Sequence, residues 1–220
     1  MKRPKLIQTL TYLCVLSASW TALAENQLYK TFNYGHDLNT IVQNYDTYEC
    51  DIDALCIDGQ EFMGREASLM LTFINDKLVQ VGVGFQKYSP DIYSEVLLPL
   101  VFSDSWQLVM LQNLVTNERF DFLYNRSLFG QSEAERLLNE FEQISLSDGR
   151  TVYMMIEIDS EDRIYSIENA GNVSELWDLV DVNTRELDFY IDENNEEVFF
   201  LINQPNLFFN EASEKEVENF

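Results

Sequence analysis

The chain contains a single imidazole on which nucleophilic catalysis could depend. His36 stands in the run Tyr34-Gly35-His36-Asp37, and a serine, histidine and aspartate triad would have to use it. The chain has no G-x-S-x-G turn, no S-x-x-K pair and no catalytic-cysteine context. Because His36 also stands at the start of a predicted helix, we expect it to serve as a cap or in a turn. The sequence therefore predicts no catalytic residue.

Cysteines form the second group with possible chemistry. Cys14 lies in the N-terminal segment, which leaves Cys50 and Cys56 in the rest of the chain. An even number in an exported protein favours a disulfide, and closing so short a loop contributes about 2 kcal/mol. A redox pair is the alternative, but the C-x5-C spacing lacks the geometry of C-x-x-C motifs. A zinc site would need more ligands than one histidine supplies, so we predict a structural disulfide.

Acidic residues crowd the same loop, where they raise the question of a cation site. These residues are Asp51, Asp53, Asp58 and Glu61. An EF-hand loop starting at Asp51 requires an oxygen ligand at its fifth position and glycine at its sixth. Those positions hold Leu55 and Cys56. The motif fails, and we predict a solvated acidic loop and no metal, with adventitious calcium binding as the alternative.

The other acids suggest a second kind of chemistry, the paired carboxylates of a glycosidase. Such sites usually carry tryptophan platforms, but Trp106 and Trp177 both fall on apolar stripes, where core packing is the expected role. No particular carboxylate pair stands out. A phosphate-binding loop is not indicated either, because Gly82-Val83-Gly84 alternates inside a predicted strand. We predict no cofactor.

The first 24 residues have the composition of a secretory signal. Three basic residues precede an apolar stretch from Leu6 to Leu16, and Ala22-Leu23-Ala24 matches a small-x-small cleavage site. A transmembrane anchor is the alternative, but the stretch is shorter than the roughly 20 residues that span a bilayer. We expect cleavage after Ala24, export to the periplasm of a bacterial cell, and no stable membrane anchor on the mature chain.

The charge balance limits the partners of the chain. The 220 residues include 38 Asp+Glu against 14 Lys+Arg, a formal charge of -24. Cleavage would remove three basic residues, which leaves 11 against 38 and a charge of -27. A surface of this sign repels nucleic acid and anionic membranes and attracts a basic protein. A hydrophobic fraction of 46% argues against disorder of the bulk of the chain.

The periods of the apolar residues predict the elements that must position these groups. In residues 25–130 they predict a helix at 37–45, a hairpin turning around 75–77, a helix at 92–101 and a hairpin turning around 116–118. In residues 131–209 a capping box at Ser132-Glu133-Ala134-Glu135 opens the first helix. A hairpin turning at 159–162, a helix at 176–180 and a hairpin turning at 192–197 follow.

This repeated order predicts an α+β fold of two similar halves, each a helix–hairpin–helix–hairpin unit with its helices on one face of an antiparallel sheet. A tandem duplication would explain the repeat, but order without residue identity also arises by chance. No linker separates residues 25–130 from 131–209, so we expect the two sheets to pack or join. Residues 210–220 form an acidic tail that is expected to fray or to be weakly helical.

The last predicted hairpin and its exit combine aromatic and acidic residues. The candidate partner-binding residues are Tyr190, Phe199, Phe208, Phe209, Asp192, Glu193, Glu196 and Glu197. Because strand alternation buries only one face of a two-layer sheet, Tyr190 or Phe199 is expected to be exposed, and interface centres favour such aromatics. The alternative is a hydrophobic seam between the two halves.

These features favour a non-enzymatic acidic binding protein with a basic protein partner. Its sharpest form is an immunity or inhibitor protein that neutralises a basic toxin or enzyme. The alternatives are a structural or assembly module of the cell envelope and a carboxylate-dependent hydrolase. The sequence predicts no oligomeric state.

Overall fold

A computed structural model describes residues 26–85, 90–101, 106–158 and 160–207. The predicted signal peptide, the acidic tail, Phe208 and Phe209 lie outside these residues.

Mixed helices and a large antiparallel sheet confirm the α+β class. The strands are β1 Gln27–Tyr29, β2 Phe32–Asn33, β3 Tyr48–Asp51, β4 Ala54–Phe62, β5 Arg65–Ile74, β6 Lys77–Phe85, β7 Trp106–Asn113, β8 Arg119–Asp121, β9 Arg150–Glu157, β10 Glu186–Asp192 and β11 Glu197–Asn203.

Nine of these strands form one sheet in the order β3-β4-β5-β6-β11-β10-β9-β7-β8, and β1 and β2 form a separate two-stranded ribbon. Every neighbouring pair in the sheet is antiparallel. The three strands of residues 131–209 therefore lie between β6 and β7, which both belong to the first half. The expectation that the sheets join holds, but a separate four-stranded sheet for each half is wrong.

The helices are α1 Leu38–Asn44, α2 over 90–101 with a π-helical turn at Tyr93–Leu97, α3 Phe122–Phe129, α4 Gln131–Asp148, α5 Glu161–Asn169 and α6 Val173–Leu179. Four of the helices in the described residues, α1, α3, α5 and α6, begin directly after a residue whose side chain caps the helix. The predicted helix at 37–45 is confirmed, and Asp37 caps it by accepting the N–H of Asn39 at 3.0 Å. Within the described ranges, no helix is both long and apolar enough to span a bilayer.

Three local predictions are wrong. The capping box at Ser132 does not form, because α4 already begins at Gln131 behind Gly130 and has no side-chain cap. Phe120, Phe122 and Tyr124 alternate as the second strand of the hairpin at 116–118 would, but residues 122–124 are helical, because Asp121 ends β8 and caps α3 by accepting the N–H of Tyr124. Residues 164–167 belong to α5, which Ser160 caps, so the hairpin turning at 159–162 is absent.

The core lies on the face of the sheet that the alternating apolar residues share. On β11, Val198, Phe200 and Ile202 are buried, while Phe199 and Leu201 on the other face are half-buried. Apolar side chains of the ribbon and of all six helices join the same cluster; Ile41, Leu97, Leu123, Ala134, Ile167 and Leu176 are examples. Because one continuous core contains residues of both halves, the two halves are parts of one packed unit.

Candidate protein-binding surface

The predicted aromatic pair lies on the face of the central strands opposite the core. Tyr190 and Phe199 face each other across β10 and β11, and their rings stack with centroids 4.5 Å apart and planes 10° apart. Both side chains are half-buried, whereas Phe189 and Phe200 on the opposite face are fully buried. The structure therefore places Tyr190 and Phe199 together and outside the core.

The acidic turn between β10 and β11 divides into two kinds of residue. Asp192 is buried and accepts hydrogen bonds from Arg150 Nε at 2.8 Å and from the side-chain amide of Asn195 at 2.8 Å. Burial opposes its ionisation, but the hydrogen bonds from Asn195 and Arg150 outweigh burial and lower its pKa. Asp192 therefore holds the turn together. Glu193, Glu196 and Glu197 are exposed and contribute the negative potential of this end of the sheet.

A pair of acids on β10 was missed by the sequence reasoning. Glu186 and Asp188 alternate in phase with Tyr190, so all three share one face, and Glu186 pairs with Asn203 of β11. Glu186 is buried, and the Oδ1 atoms of Asp188 and Asn203 are buried without a hydrogen-bond partner. The period of two in the run from Glu186 to Tyr190 was the signal that pointed to a shared face.

Burial controls the ionisation of this face. It raises the pKa of Asp188 to about 6, although a hydrogen bond with Glu186 partly opposes the rise. Burial, and then the charge of Asp188, raises the pKa of Glu186 well above its usual range. Burial followed by the two acids raises the pKa of Tyr190 to about 12. Burial therefore favours the protonated forms of both acids.

The other sequence candidates occupy structural positions. His36 lies in the turn before α1, where its Nδ1 accepts the N–H of Asn33 at 3.4 Å. Trp106 and Trp177 pack against the core, as predicted, and the guanidinium of Arg185 lies 5.6 Å from the Trp106 ring centre. In the part of the chain that the structure describes, no three His, Cys, Asp or Glu side chains are grouped as a metal site would require.

The predicted disulfide between Cys50 and Cys56 is confirmed, with Cα atoms 5.7 Å apart. It links β3 to β4 at the edge of the sheet. Of the neighbouring acids, Asp58 accepts hydrogen bonds from Tyr48 at 3.1 Å and from Ser68 at 2.7 Å through one oxygen. This carboxylate ties β3 to β5 across β4.

No protein-family model, curated protein or solved structure matches the chain.

Proposed function

We propose that the protein is an exported, non-enzymatic acidic binding protein whose partner is a basic protein. In its specific form it is a periplasmic immunity or inhibitor protein that neutralises a basic toxin or enzyme. The observation that carries the proposal is the stacked pair Tyr190 and Phe199 lying outside the core beside the exposed acids Glu193, Glu196 and Glu197. An aromatic centre with a charged rim is the arrangement that binding hot spots favour.

The charge of the whole chain supports the same partner. A mature charge of 11 against 38, or -27, produces a long-range field that accelerates encounter with a cationic protein. Such steering weakens as salt screens it, with a Debye length of about 10 Å at 0.1 M ionic strength. A basic partner should therefore bind faster and more tightly at low salt than at high salt.

The test is capture from envelope extract of the source cells by the immobilised mature chain, at 50 mM and at 500 mM salt. We expect one basic protein, with affinity that falls at least tenfold at high salt. A variant with Glu193→Gln, Glu196→Gln and Glu197→Gln should associate more slowly, and Phe199→Ala should dissociate faster. Recovery of no protein, or of many proteins equally, contradicts the proposal. The gene of the partner is expected beside that of this chain.

A carboxylate-dependent hydrolase is the second candidate, because Glu186 and Asp188 share one face of β10 and burial raises the pKa of both. Three of their four neighbours across the strands are the apolar Ile156, Met154 and Leu201, and Asn203 is the one polar neighbour. Cell-wall hydrolysis by the purified chain that disappears in Asp188→Asn would favour this candidate. An envelope assembly module remains the third; it would show neither hydrolysis nor a basic partner.

The tandem duplication remains a hypothesis on the origin of the chain. Its support is the helix that precedes a group of strands in each half, α1 before β3 and α4 before β9. The helix α5, which lies where the second strand of a hairpin was expected, argues against it.

A further inference from the structure

A single aliphatic side chain protrudes from the disulfide-linked edge of the sheet. Ile52 is 88% exposed, the highest value among the large apolar side chains of the described residues. It lies in the stapled turn, residues 50–56, whose ends are joined by the disulfide between Cys50 and Cys56. Isolated exposed apolar residues are common on protein surfaces, but Ile52 differs in how rigidly it is held and in the charge of its neighbours.

The backbone beside Ile52 is held in place from both sides. The N–H of Ile52 donates to Asp51 Oδ1 at 2.7 Å, and the carbonyl of Asp53 accepts the N–H of Phe73 on β5 at 2.8 Å. Asp53 itself adopts φ 56°, a left-handed conformation that aspartate tolerates in tight turns. The disulfide and these hydrogen bonds fix the conformation of the turn before any partner arrives.

The base of the stapled turn is anchored in the protein core. Leu55 and Ile57 on β4 are buried in the core cluster, and Asp58 links Tyr48 on β3 to Ser68 on β5. A contact residue on such a support loses little conformational entropy on binding, which is the general advantage of preorganisation.

The surroundings of Ile52 are uniformly acidic. Glu49, Asp51 and Asp53 are exposed next to it, and the chain contains no Lys or Arg from residue 31 to residue 64. An exposed apolar side chain flanked along the chain by carboxylates is complementary to an apolar pocket bordered by Lys and Arg. A neutral or acidic partner would leave these carboxylates unpaired or repelled.

We propose that the stapled turn is a second contact segment of the proposed binding function, in addition to the stacked pair Tyr190 and Phe199. Ile52 inserts into an apolar pocket of the basic partner, and the exposed acids Glu49, Asp51 and Asp53 pair with the cations around that pocket. This inference rests on the proposed function and adds a surface that the sequence reasoning treated as a solvated loop. The β3 strand, which forms one edge of the nine-stranded sheet, carries the turn to the periphery, where a partner can approach.

The experiment compares two matched positions in the full-length chain expressed in its source cells. An aliphatic diazirine amino acid, which keeps the side chain apolar, replaces Ile52 in one variant and Val115 in the other. Val115 is 54% exposed in the turn between β7 and β8, at the opposite edge of the sheet. We expect one basic protein to be crosslinked at position 52, to be lost at high salt, and to be absent at position 115. Absence of an adduct at position 52, or equal adducts at both positions, overturns the inference.

Purified variants then separate the turn from the general proposal. Ile52→Ser should weaken binding of the crosslinked partner by about 30-fold or more, as expected for a central anchor, whereas Val115→Ser should leave it unchanged. Both side chains are exposed, so both variants should unfold at the wild-type temperature. Cys50→Ser with Cys56→Ser should weaken binding several-fold, because the turn is then free to move.

The two proposals fail in different ways. If a basic partner binds wild type and Ile52→Ser equally, the role of the stapled turn is overturned while the proposed function stands. If position 52 crosslinks to a neutral or acidic protein whose binding does not change with salt concentration, the turn is a contact segment but the proposal of a basic partner fails.

Discussion

Glu157 is a buried carboxylate between two guanidinium groups. Arg163 Nη1 donates to it at 3.1 Å from α5, and Arg185 Nε donates at 2.9 Å from the loop before β10. Arg185 also donates to the carbonyl of Leu28 on β1 at 3.0 Å. One carboxylate at the end of β9 thus connects a helix, a loop and the N-terminal ribbon.

Removing this carboxylate leaves two cations at the edge of the core without their shared partner. We expect Glu157→Ala to lower the free energy of unfolding by about 3 kcal/mol or more, the range for breaking a buried ion pair. Urea denaturation measures it. The control is Glu133→Ala on α4, whose exposed pair with Arg136 should contribute less than about 1 kcal/mol. Equal losses in the two variants would contradict the prediction.

The acid pair on β10 predicts an unusual pH dependence of stability. Burial raises the pKa of Asp188 to about 6 and raises that of Glu186 as well, so folding favours their protonated forms. The contribution of the two acids to the free energy of unfolding is complete below their pKa values in the unfolded chain. It is lost as the pH rises through their pKa values in the folded protein. The titration of Asp188 alone changes the free energy of unfolding by on the order of 2 kcal/mol between about pH 4 and pH 7.

We therefore expect wild type to unfold at a higher temperature at pH 5 than at pH 8. The variant Glu186→Gln with Asp188→Asn should show a clearly smaller difference between the two pH values. Carboxylates with a lowered pKa, such as Asp192, lose their contribution only in more acidic solution and do not obscure this window. The same pH dependence in wild type and variant would argue against the assignment.

At the scale of elements, Asp121 sets the ends of three segments. It is the last residue of β8, its Oδ1 accepts the N–H of Tyr124 at 2.9 Å to cap α3, and its Oδ2 accepts the N–H of Val173 at 2.8 Å at the start of α6. One side chain therefore satisfies backbone donors of two helices that are far apart in sequence.

We expect Asp121→Ala to lower the free energy of unfolding by about 2 kcal/mol, roughly twice the effect of a single cap. Asp37→Ala, which removes the single cap of α1 together with an exposed ion pair to Lys77, serves as the comparison and should cost about 1 kcal/mol. Asp121→Asn should fall between wild type and Asp121→Ala, because it keeps one acceptor oxygen. Chemical denaturation of the three variants measures these values, and equal losses in Asp121→Ala and Asp37→Ala would exclude the double cap.

The same residue explains why one predicted strand is partly a helix. Phe120, Phe122 and Tyr124 alternate as a strand would, but the capping carboxylate of Asp121 lies in the middle of this run. Ile164 and Ile167 are three residues apart, a spacing that suits a helix, and Ser160 supplies the cap of α5. Short apolar runs fit both periods, so the cap decides between them.

At the scale of the whole molecule, the sheet order interleaves the two halves. Residues 25–130 contribute β3 to β6 on one side and β7 and β8 on the other, while β9, β10 and β11 fill the centre. A polypeptide of residues 25–130 alone would have to expose the edges of β6 and β7 and half of the core.

We expect residues 25–130, expressed alone, to show no cooperative unfolding transition in circular dichroism. Expression together with residues 131–220 should restore it, because the second fragment supplies the central strands. A cooperative transition of the first fragment by itself would show that it is an independent domain and would contradict the interleaved core.

Residue types and periods were enough to predict the α+β class, the helix α1, the hairpins β5–β6 and β10–β11, and the disulfide. These features depend on neighbours within a few residues, as with Cys50 and Cys56 or the cap at Asp37. The positions of Tyr190 and Phe199 outside the core also followed from strand alternation, because Phe189 and Phe200 take the opposite face.

Only the tertiary structure decided which strands are neighbours, and with that which side chains share a surface. Strand order depends on contacts between residues such as Phe199 and Gly84, or Tyr153 and Phe189, that are far apart along the chain, and a local period carries no information about them. The burial of Glu186 and Asp188 and the exposure of Ile52 have the same origin. Each depends on what the completed sheet places above and beside the residue, and not on the residue itself.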